Sequence, residues 1–83
     1  MDKKLYTQDQ AVLQELLREL RVEAGLRQQD VADQLGEPQS VVSKYESGQR
    51  RLDILELREV CAALGISLAT FVRRLEDRLK SQR

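Results

Sequence analysis

The 83-residue sequence predicts an all-α protein, a compact bundle of five helices. Three observations carry that expectation. Apolar residues recur at spacings of three and four along most of the chain, the period of a helix with one buried face. Glycines at 25, 36, 48 and 65 interrupt the pattern where helices would stop. No stretch alternates apolar and polar residues as a strand would, and the single proline and short connections argue for one compact bundle.

The elements follow in order. Thr7-Gln8-Asp9-Gln10 fits a capping box, with Thr7 as N-cap. Leu13, Leu16, Leu17, Leu20 and Ala24 then form one stripe, so helix 1 is expected over about residues 8–24. Helix 2, about 28–35, turns Val31, Ala32 and Leu35 inward. Pro38 stands at or next to the start of helix 3, about 38–47, whose inward residues are Val42 and Tyr45, with Val41 at the edge. Asp53 caps helix 4, which carries Leu57, Val60, Cys61 and Leu64. Ser67 caps helix 5, which carries Leu68, Phe71, Val72, Leu75 and Leu79. Residues 1–8 are expected as an N-terminal extension, with Tyr6 against the core or a partner. Residues 9–80 form the single domain and 81–83 a frayed tail.

Composition excludes several kinds of chemistry. There is no His, and Cys61 is the only cysteine, so an internal disulfide and the usual zinc sites are ruled out. The commonest general base is missing too. Cys61 sits between Val60 and Ala62 on an apolar face and reads as a small core residue. No run of apolar residues is long enough to span a membrane, and the first ten residues are polar, without the pattern of a signal peptide. The net charge is zero but unevenly placed: residues 1–47 carry six Lys/Arg against nine Asp/Glu, and residues 48–83 carry eight against five. The basic excess begins at Arg50-Arg51, just past helix 3. A DNA binder of this composition should make few phosphate contacts and hold random DNA weakly.

The stretch Gly25 to Gly48 is the most informative. It reads GLRQQDVADQLGEPQSVVSKYESG and has the layout of helix, tight turn and helix. Ala32 is small enough for helix 3 to cross closely over helix 2. Gly36 suits a turn with positive φ. With Val42 and Tyr45 directed inward, Gln39, Ser40, Ser43 and Lys44 are left on the outer face, at the spacing that would face a DNA groove.

From about Leu17 to Leu75 the chain resembles the Cro/C1-type, or XRE, helix-turn-helix family of phage repressors, Cro proteins and similar bacterial regulators. The matching residues include Leu20-Arg21, Gly25-Leu26, Gln28, Val31-Ala32, Leu35-Gly36, Gln39-Ser40, Val42-Ser43-Lys44, Glu46, Gly48 and Arg51, and then the run Ala63 to Leu68. The resemblance implies a lambda-repressor-like DNA-binding domain. It implies that Gln28 binds a backbone phosphate, that Gln39, Ser40 and Lys44 face the major groove, and that Gln49, Arg50 and Arg51 hold neighbouring phosphates. Arg21 and Glu46 match a pair that commonly forms a buried salt bridge between helices 1 and 3. The chain departs from the pattern at Pro38, where Ser or Thr often caps helix 3, at Glu37, and at Asp30 and Asp33, which make helix 2 acidic.

The side chains suit these roles. The Gln39 amide can pair bidentately with adenine at N7 and N6. Ser40 can meet a base or a phosphate, and Ser43 is short enough to need a bridging water. Lys44 can reach guanine or the backbone. Val41 is either a contact to a thymine methyl or an edge-of-core residue. Gln28, at a helix start, can offer both its amide and its backbone N–H to a phosphate. Arg50 and Arg51 form a candidate phosphate clamp, with one or the other expected to contact DNA. On helix 5, Leu68, Phe71, Val72, Leu75 and Leu79 either pack on helices 1 and 4 or supply a symmetric dimer interface.

The sequence-level expectation is therefore a dimeric DNA-binding regulator, most simply a repressor on a palindromic operator, cytoplasmic in a bacterium or encoded by a phage. The alternative is a protein-interaction module, an antitoxin or adaptor with a toxin or other protein partner. Enzyme chemistry is rejected: no catalytic residues, no metal site and no cofactor are expected, and no small-molecule ligand is evident.

Overall fold

The computed structural model describes residues 3–82, with side chains from residue 8 onward. Five helices follow one another: α1 (Lys3–Glu23), α2 (Gln28–Leu35), α3 (Gln39–Ser47), α4 (Ile54–Leu64) and α5 (Leu68–Ser81). The first begins upstream of its expected start. The backbone is already helical at Thr7, so Thr7 is not an N-cap. A capping side chain ends a helix only where the preceding residues leave helical geometry, and Lys3, Lys4 and Leu5 favour helix without a Gly or Pro to break it. The side chains of Tyr6 and Thr7 lie outside the described residues. At the other end α5 runs through Ser81, and Ala24, expected on the inner stripe of helix 1, lies in the exposed turn after it.

The later helices start on local chemistry. Asp53 accepts from the Glu56 N–H at 2.8 Å, and Glu56 returns the bond to the Asp53 N–H at 3.0 Å, a reciprocal capping box. Ser67 accepts from the Thr70 N–H at 3.1 Å. Asp30 does the work at α2, accepting from the Arg27 N–H at 2.8 Å and from the Arg27 guanidinium.

The core gathers Leu16, Leu17 and Leu20 of α1, Val31 and Ala32 of α2, Val42 and Tyr45 of α3, the inner face of α4, and Phe71 of α5. Helix α2 packs on α3 and α4, while α1 meets α3 and α5, and α4 closes against α5. Phe71 has no exposed surface; burying a ring of that size stabilises by about 2–3 kcal/mol. Cys61 is also buried, and desolvation pushes its thiol up to about 11, which keeps it a protonated packing residue. Two ion pairs join α5 to α1 from outside, Arg78 with Glu19 and Arg74 with Glu23. Among the described residues no helix is long and apolar enough to cross a membrane.

Gly48 ends α3 at φ +88°, and a Cβ there would run into the side-chain amide of Gln14 on α1. Gly25 also has positive φ but nothing within 4 Å of a Cβ. Gly48→Ala is therefore expected to lose about 1–2 kcal/mol from backbone strain plus the cost of displacing Gln14, and Gly25→Ala only the first part. Urea denaturation of both variants measures the difference; equal losses would mean that Gln14 swings away freely.

Candidate nucleic-acid interface

The α2–turn–α3 unit is built on close backbone approach. Ala32 is fully buried where the two helices meet. Gly36 takes φ +68°, and the Glu37 N–H donates back to the Ala32 carbonyl at 3.0 Å, closing α2 in one turn. Pro38 then stands as the N-cap of α3 in extended geometry, outside the helix. It brings no side-chain oxygen, but its carbonyl accepts from the Val41 N–H at 3.0 Å.

One hydrogen-bonded chain runs from α1 to the outer face of α3. The Arg21 guanidinium grips Glu46 with two bonds, Nε to Oε2 at 2.7 Å and Nη2 to Oε1 at 3.1 Å. The side chains are only 12% and 4% exposed, so little water screens the pair. The third Arg21 nitrogen, Nη1, donates to the Leu26 carbonyl at 2.9 Å and fixes the loop before α2. The bond to Glu46 raises the Arg21 pKa further, so its charge is permanent. Gln28 Nε2 donates to the same Glu46 carboxylate at 3.1 Å, and Gln39 Nε2 donates to Gln28 Oε1 at 2.6 Å. Gln28 and Gln39, eleven residues apart, are thus locked to each other and to the α1–α3 ion pair. Gln39 keeps its carbonyl and one N–H, the acceptor and donor that a bidentate pair with adenine needs.

Ser40 and Lys44 are exposed along the outer face of α3, and Ser43 is half-buried between them. Val41 is half-buried and packs on the core rather than standing on that face. After α3 the chain turns on two bonds to the Lys44 carbonyl, from the Gln49 N–H at 2.9 Å and the Arg50 N–H at 3.2 Å. Gln49 and Arg51 are exposed. Arg50 is held by Glu56 at 2.8 Å.

On α5, Phe71 is wholly inside the protein's own core, so it cannot touch a second copy. Leu68, Leu75 and Leu79 are half-buried, and Val72 is the large apolar residue of α5 that stays exposed. Of the two expectations for this stripe, packing on α1 and α4 takes up most of it.

Sequence reading missed two partners here. Asp30, noted only as one of the acids of helix 2, is a cap and pairs with Arg27; the spacing of three between them was the available signal. Glu56 was not linked to Arg50, six residues before it, because only the turn after α3 brings them together.

A helix-turn-helix with a polar outer face on its second helix defines a class of nucleic-acid-reading protein, and comparison with known proteins gives the family. The helix-turn-helix family model matches residues 17–71. An XRE-family-like protein from Pseudomonas syringae pv. tomato str. DC3000 is 37% identical, covers 92% of this chain and 93% of its own, and superposes with a TM-score of 0.85. The wild-type restriction-modification controller protein C.Esp1396I is 23% identical, with 83% of this chain and 91% of that one covered and a TM-score of 0.76. The same controller, solved as a tetramer with its natural 35 base-pair operator, gives 22% identity, coverage of 86% and 93%, and a TM-score of 0.78. At those identities the likeness to the controller is one of fold. No curated protein matches the sequence. The chain belongs to the Cro/C1-type, or XRE, helix-turn-helix family of DNA-binding transcription regulators.

Removing one partner of a buried ion pair strands the other. Glu46→Ala leaves Arg21 and Gln28 without their acceptor and is expected to cost about 3–5 kcal/mol, read as a collapse of the melting temperature; an unchanged melting temperature would show the pair to be dispensable. A second expectation concerns pH. The Arg27 guanidinium, and then its backbone N–H, hold the Asp30 carboxyl down from 3.8 to about 2. Because the folded value is the lower one, the cap's contribution is complete above the unfolded value and is lost as pH falls through about 2. A carbon-13 NMR titration should place the Asp30 midpoint near that value, whereas a midpoint close to 3.8 would mean the cap does not form in solution.

Proposed function

We propose that this protein is a sequence-specific repressor that binds a palindromic operator as a dimer and inserts α3 into the major groove. The single observation that carries the reading is the bond from Gln39 to Gln28, anchored through Glu46 to Arg21. It holds the Gln39 amide at the start of α3 with an acceptor and a donor left for a base, and ties it to Gln28, the proposed phosphate contact. Ser40, Ser43 and Lys44 extend the reading face. Gln28 and the loop Gln49-Arg50-Arg51 flank it as backbone contacts, which set register without reading sequence. The operator complex of C.Esp1396I supports the same use of a similar fold. In a dimer, the two α3 helices would sit about 34–36 Å apart on successive major grooves. Val72, with the outer edges of Leu68, Leu75 and Leu79, is the part of α5 open to a second copy.

Selection of bound duplexes from a random DNA pool tests this. Enrichment of an inverted repeat by the wild type, lost by a Gln39→Ala/Lys44→Ala double variant, is the expected result. A folded protein that enriches nothing would instead be a module that binds a protein partner.

A further inference from the structure

The inner face of α4 packs on α2 and α5. Its outer face is uncovered. Leu55 is 71% exposed and Ile54 beside it 60%, the two most exposed large apolar residues among those described. Single exposed apolar residues are ordinary, but Leu55 belongs to a row. Residues three, four and seven apart share a helix face, so Leu55, Arg58, Glu59 and Ala62 line up along one side of α4. All four are exposed. At the far end of the row, Ala62 borders an open groove of about 290 Å³ whose apolar wall is completed by Ile66 of the following turn and Leu68 of α5. A cavity of about 150 Å³ accepts a group the size of benzene, so a leucine side chain fits this groove. Arg58 and Glu59 stand between Leu55 and Ala62, and neither side chain makes a hydrogen bond or ion pair among the described residues.

We propose that this face of α4 binds a second copy of the chain, the two α4 helices running antiparallel about a twofold axis between Arg58 and Glu59. A twofold interface must be complementary to itself, because each contact is made twice. The row meets that condition. Opposite charges flank its midpoint, so Arg58 faces the partner's Glu59 and Glu59 the partner's Arg58. Leu55 lies three residues before this pair and Ala62 three residues after it. Antiparallel pairing therefore carries Leu55 into the groove at the partner's Ala62, where the small side chain leaves room. A parallel pairing would set Leu55 on Leu55 and bring like charges together. Val72, one turn beyond Leu68 on α5, extends the apolar rim of the groove. Use of this contact on an operator rests on the function proposed above, whereas the self-association itself does not.

Sedimentation equilibrium of the intact chain, without DNA, tests this. The wild type is expected to approach twice the monomer mass as its concentration rises. Arg58→Glu and Glu59→Arg change exposed side chains that have no partner of their own, and each sets like charges face to face. Each should weaken the dimer by at least about tenfold. Leu55→Ser should do the same by removing the residue that fills the groove. The combined Arg58→Glu/Glu59→Arg variant restores the pairing with the signs exchanged and should return to within about threefold of the wild type. A wild type that stays monomeric up to about a millimolar, a single variant that dimerises undiminished, or an exchange variant no better than its parents would each overturn the proposal. Duplex selection by the same proteins separates this from the function. An inverted repeat enriched by a wild type whose Arg58→Glu variant dimerises undiminished overturns the interface alone. The expected self-association with no enriched duplex supports the interface and overturns the repressor reading.

Discussion

The grip of Arg21 on Glu46 is the constraint on which the rest of this structure turns. It joins the longest helix, α1, to α3, and its third nitrogen secures the loop between α1 and α2. A buried ion pair adds little net stability over well-packed apolar residues, but it tolerates few geometries. The planar guanidinium meets the carboxylate along two bonds, which defines the rotation of α3 about its own axis as well as its position. Lysine could supply the charge without that definition. Gln28 reads the same carboxylate and passes the register to Gln39, so the orientation of the outer face is inherited from a contact behind it.

The charges around the face have a consistent logic. A net charge of zero left the source of any attraction to DNA open. Arg27 is committed to Asp30 and Arg50 to Glu56, each partner also capping a helix start. Much of the basic character near α3 is thereby partly neutralised within the chain. On the proposed reading, non-specific affinity is kept low and discrimination falls to a few positioned polar groups, which is the regime of weak salt-driven binding and local readout.

Much of this was legible in the sequence because its causes are local. Gly36 and Gly48 mark helix ends through a backbone conformation that few other residues adopt, and Asp53 with Glu56 announces a start by spacing alone. Arg21 and Glu46 could be paired only through the resemblance to a family, since 25 residues separate them. The signal at Thr7 was local too, but it competed with a helix already under way. Phe71 was misplaced as an interface candidate because a stripe shows how much apolar surface exists, not how much its neighbours cover. Here α1 and α4 cover it. Contacts such as Arg78 with Glu19, 59 residues apart, and Gln14 against Gly48 have no sequence signal, being products of packing.

The nine residues of α3 would be a marginal helix in isolation, below the length at which peptides hold helical structure in water. Here that helix is stapled to α1 through a desolvated pair, so opening it locally means breaking an interaction of the core. Its backbone therefore belongs among the more protected parts of the chain rather than among its fluctuating ones. The consequence is thermodynamic: whatever α3 meets encounters a surface already in order, and the entropy of arranging that surface has been settled during folding rather than being charged against association.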